Sequence, residues 1–151
     1  MTRDPPDLST SSYSGCYWEG VCDIPWLDRA TECVVEGTSE LIGDAERTAL
    51  EFACRLPPDT RLKLQTFIFN AYQTEIYGSM AGGDRVTPPI ATASEIWTLL
   101  SEPGIAVSEE PRPDHYFCVS FECVWDPEHG LSILFDDSGV PIDLGGQGDH
   151  F

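Results

Sequence analysis

A chain of 151 residues with 41% apolar content is long enough to fold as one compact domain around its own core. Its 26 acids outweigh seven Arg and one Lys to give a formal charge of −18, and no basic patch gathers phosphates, so nucleic acid is excluded as a partner. No run approaches the ~18 apolar residues of a membrane span, and Met1-Thr2-Arg3-Asp4-Pro5-Pro6 lacks the basic-then-apolar order of a signal peptide.

Residues 1–14 are rich in Pro, Ser and Asp with little to bury, which predicts a flexible tail ahead of a single domain over 15–151. Tyr17 to Cys22 and Thr31 to Glu36 carry β-forming residues on either side of Ile24-Pro25-Trp26-Leu27-Asp28, the pattern of an antiparallel pair. Asp44 is placed to cap a first helix, with Leu50, Ala53 and Cys54 on one face and an end before Pro57. Pro57-Pro58-Asp59 opens a longer helix, apolar on most sides, expected to run to about Tyr77 and stop at Gly78. Residues 78–89 read as a loop. Thr92-Ala93-Ser94-Glu95 has capping-box spacing for a short helix through Leu100, ended by Pro103-Gly104.

From Ile105 onward the pattern is β. Phe117, Val119, Phe121, Cys123 and Trp125 alternate with Cys118, Ser120 and Glu122, a period of two. Leu131, Ile133 and Phe135 follow, then the turn signal Asp136-Asp137-Ser138-Gly139, then Val140, Ile142 and Leu144. The predicted class is α+β: an antiparallel sheet made of the N-terminal pair and a C-terminal three-stranded meander, with two or three helices on one face. The meander is expected to have one apolar and one polar face.

Residues 101–151 hold eleven acids against Arg112 alone. Such a field steers a basic protein partner or keeps the chain soluble. The six cysteines form no C-x-x-C pair, which excludes a zinc ribbon and predicts reduced, core-filling thiols in a cytoplasmic protein.

The densest polar constellation is Trp125-Asp126-Pro127-Glu128-His129-Gly130. Asp126, Glu128 and His129 are metal-ligand types that His115, Asp149 and His150 could join, or an acid–base pair for hydrolysis. Against this, no metal motif has that spacing and no nucleophile is evident. Pro, Asp and Gly there also suit a tight strand connection, with Trp125 packing the sheet. The turn at Asp136 lacks the D-x-D-x-D-G series of a calcium loop.

Tyr17-Trp18-Glu19-Gly20, Glu95-Ile96-Trp97, the run Phe121 to Leu131 and the closing Gly145-Gly146 resemble a family of uncharacterised bacterial domains. Those domains end in W-D/E-x-E-H-G-L-G, a strand, a turn and a glycine pair; this chain has Ser132 in place of the second Gly of that run. The small acidic members are similar to immunity proteins of toxin systems, and the resemblance implies no catalytic residues. The expectation is therefore a non-enzymatic protein without cofactor or resident metal that binds a basic partner. Its candidate contacts are Glu109, Glu110, Asp126, Glu128, His129, Asp136 and Asp137. The alternative is a metal-dependent or acid–base hydrolase using Asp126, Glu128 and His129.

Overall fold

The computed structural model describes residues 12–13, 17–27, 29–37, 41–76 and 90–146. Seven strands lie in one sheet in chain order: β1 (Ser12–Tyr13), β2 (Tyr17–Ile24), β3 (Arg29–Glu36), β4 (Leu100–Val107), β5 (Phe117–Cys123), β6 (Leu131–Phe135) and β7 (Pro141–Gly145). Ser12–Tyr13 falls in the stretch expected to be a tail and forms an edge strand on β2. Residues 1–11 of that tail, the 78–89 loop and the chain after Gly146 lie outside the described residues.

The sheet is antiparallel apart from one pair. β3 runs parallel to β4, with Glu32 opposite Gly104 and Val35 opposite Val107. The pattern of β-forming residues predicted the β2–β3 pair and the β5–β7 meander, but neither β4 as a strand from Leu100 nor this seam. A parallel neighbour requires a long crossover, and residues 37–99 supply it with α1 (Asp44–Cys54), α2 (Thr60–Ala71) and a 3-10 helix, Ala93–Leu99.

Helix ends depart from the sequence reading in physically clear ways. Gly43 occupies the N-cap of α1, and Asp44 is the first helical residue, where its charge still meets the positive end of the helix dipole. α2 begins at Thr60, with the carbonyls of Pro57 and Pro58 accepting the Thr60 and Arg61 N–H groups. It ends at Ala71 and continues as a π turn over Tyr72–Ile76. Glu95 does reach back, accepting the Ala91 N–H at 3.1 Å. Pro103-Gly104 does not end that helix: it lies inside β4, where the register to β5 shifts between Ser101 and Gly104 and Glu102 adopts a φ of 51°.

The core sits between the helices and one face of the sheet. Phe117 stacks on Phe135 at 4.7 Å, Tyr72 meets Trp125 edge-on at 5.1 Å, and Trp97 meets Phe121 at 5.9 Å. Trp26 is fully buried beneath α1 and donates its indole N–H to the Ala53 carbonyl at 2.7 Å. Burying each such side chain contributes roughly 1.5–3 kcal/mol. The meander's second face is not wholly polar, because Cys118, Ser132 and Leu134 are buried too.

Candidate functional site

The strand directions sort the candidate residues onto two ends of the sheet. Glu109 and Glu110 follow β4, while Asp136 and Asp137 follow β6; both loops lie at the same end. They are tied together, since Asp137 N–H donates to the Pro113 carbonyl at 2.9 Å and Tyr116 N–H to the Phe135 carbonyl at 3.0 Å. Asp126, Glu128 and His129 connect β5 to β6 at the opposite end. Strands of five to seven residues separate the two groups by about 20 Å at about 3.3 Å per residue. One surface patch does not hold all seven.

The first end is a rim of carboxylates. Asp44, Glu109, Glu110, Asp114 and Asp137 are exposed and Asp136 is half-buried, with the exposed Arg112 on the same loop as Glu109, Glu110 and Asp114. Arg112 lies 3.7 Å from Asp114, an exposed pair worth little to stability. The rim is rigid because its backbone is tied down. Asp136 Oδ1 accepts the N–H groups of Ser138 at 2.9 Å and Val140 at 3.0 Å, closing the predicted turn. Gly139 completes it with a φ of 80°, and a Cβ there would sit 2.7 Å from Leu56 Cδ2. Glu46, buried at the start of α1, accepts the Glu110 N–H at 2.9 Å and holds that residue at a φ of 54°.

The second end is a turn. Asp126 carbonyl accepts the Gly130 N–H at 2.8 Å, and Asp126 Oδ1 accepts the His129 N–H at 3.3 Å. The same carboxylate holds His129 Nδ1 at 3.0 Å. Gly130 takes a φ of 65°, and Trp125 is buried against Tyr72, as the connector reading expects. An orienting carboxylate and an imidazole are thus present, but no described serine, threonine or cysteine bonds His129, which is 61% exposed, and Glu128 points to solvent. His115 lies at the other end in a bridge with Arg112, and Asp149 and His150 lie outside the described residues.

Two small hollows lie near this end. One, of about 120 Å³, is lined by Leu27, Arg61, Trp97, Leu100, Ser101, Pro103 and Phe121. Arg61 stacks on Trp97 at 4.1 Å and donates to the Leu27 carbonyl, so its charge is already engaged. A shallower one of about 280 Å³ runs from Thr98 to Pro127. Both fall below the roughly 300–1,000 Å³ usual for ligand pockets.

Sequence spacing missed one convergence. Cys22, Cys33 and Cys54 are buried with their sulfurs all within 4.8 Å of one another. Cys22 and Cys33 share the inward parity of the β2–β3 pair, where Cys22 faces Thr31 and Cys33 lies diagonally. Cys54 comes from the last turn of α1. The protonated Cys54 thiol is favoured by its hydrogen bond to Cys22 and by burial, which push it up to about 12, and hydrogen bonds to Cys22 and Cys54 together with burial raise Cys33 as well.

No helix among the described residues is long and apolar enough to cross a membrane. No curated protein and no solved structure matches the chain. Residues 7–151 match the family described as Domain of unknown function (DUF6985). With nearly its whole length inside that match, the chain belongs to this uncharacterised domain family.

Proposed function

We propose that the protein is a non-enzymatic binding module of immunity type that docks its carboxylate rim on a basic protein surface in the cytoplasm. The observation behind this reading is the gathering of Glu109, Glu110, Asp114 and Asp137 on two loops joined by backbone hydrogen bonds. Carboxylates fixed on a tied-down backbone lose little freedom on binding, so their attraction to Lys and Arg is not spent on ordering the loops. The resemblance to acidic immunity proteins supports the same reading, and thiols at Cys22, Cys33, Cys54, Cys118 and Cys123 suit a reducing compartment. A hydrolase built on Asp126, Glu128 and His129 has less behind it: among the described residues no nucleophile bonds His129, and the hollows nearby are smaller than usual ligand pockets.

The test is association with the basic product of a gene adjacent to this one. Glu109→Lys, Glu110→Lys, Asp114→Lys and Asp137→Lys are combined, leaving Asp136 intact because its carboxylate closes the turn. The expected outcome is an on-rate that falls at least tenfold in the variant and falls with salt in the parent. Unchanged binding in the charge-reversed protein refutes the rim as the docking surface.

A further inference from the structure

We propose that Cys22, Cys33 and Cys54 form a buried three-sulfur site for a single soft, closed-shell metal ion, Cu(I) fitting it best. The three sulfurs converge from three separate elements, β2, β3 and the end of α1, and all lie within 4.8 Å of one another. Three thiolates at about 2.3 Å from a central ion stand about 4.0 Å apart in a trigonal plane, so closing on the ion needs shifts well under 1 Å. Side-chain rotation alone supplies movement of that size.

The donor set selects the ion. It is all sulfur, with no imidazole or carboxylate among the described residues within reach, and such sets favour soft ions over hard ones. Structural zinc sites are almost always four-coordinate and tetrahedral. A three-sulfur group that no fourth His, Cys, Asp or Glu among the described residues joins suits an ion content with trigonal coordination, and Cu(I) is that ion. Binding is balanced simply: three thiols lose three protons, Cu(I) gains three Cu–S bonds, and no electron changes hands.

The setting is that of a closed site and not a reactive one. Cys33 is 2% exposed, Cys22 4% and Cys54 6%, so the ion would be shielded from water and from exchange with small thiols. Without the ion the Cys33 S–H donates to the Thr31 carbonyl at 3.5 Å, a bond given up when the thiol yields its proton to metal binding. The ion would join the hairpin to the crossover helix, a link independent of the carboxylate rim and of the function proposed for it.

The experiment is an anaerobic Cu(I) titration of the full chain against a chromophoric chelator, followed by X-ray absorption at the copper edge. One equivalent per chain with three sulfur neighbours is expected. Cys33→Ser should lower the affinity at least a hundredfold, while Cys118→Ser, outside the cluster, should bind as the parent does. Because a core variant can misfold, the sulfur count on the unaltered protein carries the decision. Fewer than three sulfurs, equal loss in Cys118→Ser, or uptake of Zn(II) without Cu(I) overturns the assignment.

Discussion

Gly104 offers a sharp check on the sheet's geometry, because its lack of a side chain is what lets β4 lie close to β5. A Cβ at that position would stand 2.9 Å from Ser120 Oγ, inside contact distance, and 3.6 Å from the Glu32 carbonyl, which is ordinary contact. Its φ is not in the left-handed region, so alanine is conformationally admissible there. Two effects then oppose each other. Crowding a packed position costs about 1–3 kcal/mol, and restricting the unfolded chain returns about 0.4–1 kcal/mol. Gly104→Ala should therefore destabilise by up to about 2.5 kcal/mol. With Ser120→Ala the obstructing oxygen is gone, and the same substitution should become neutral or stabilising by up to about 1 kcal/mol. Equilibrium urea unfolding of the four proteins gives the coupling directly, with m-values checking that the unfolded reference has not moved. An equal effect of Gly104→Ala in both backgrounds would show that the Ser120 contact does not set the strand spacing.

The Asp126–His129 pair should behave as a turn. Asp126→Ala removes the acceptor of the His129 N–H and is expected to cost about 1–2 kcal/mol, whereas His129→Ala at an exposed position should stay within about 0.5 kcal/mol; denaturant unfolding reversing that order refutes the connector reading. Stability should also fall in alkali. Burial pushes the Cys118 thiol from 9.0 up to about 11. A raised pKa means the fold favours the protonated thiol, so its contribution is intact below pH 9 and is lost as pH rises towards 11. Two units correspond to about 3 kcal/mol at most. In pH-jump unfolding, the stability gap between parent and Cys118→Ala should narrow across that window, and a gap independent of pH counts against the burial account.

Much of the architecture was legible because the signals are local. Alternation at Phe117 to Cys123 and at Leu131 to Phe135 places the meander, and Asp136 through Gly139 names its turn by the residues that close it. Less local features escaped. Nothing in the spacing of Glu32 and Gly104 announces a parallel pair, because pairing across residues 37–99 depends on how the helices fold back. Pro103-Gly104 reads as a helix stop, yet serves a bulge and a close strand approach. The candidate contacts were chosen from charge and from the polar run at Asp126 to His129, and strand direction divided them between two ends. The three sulfurs were hidden for the same reason: parity places two of them, and only the crossing of α1 delivers the third.

The parallel seam between β3 and β4 also bears on how the chain reaches its native state. β2–β3 and β4 through β7 are each joined by neighbouring strands and can zip from short-range contacts. The pairing of Glu32 with Gly104 must instead await the ordering of the intervening helices. Contacts between residues so distant in sequence are slow to form. Sequence separation alone therefore predicts two pieces that form first and a seam that closes late. Until it closes, β3 and β4 each present an open edge, and the partly folded chain is most exposed to mispairing with its own copies.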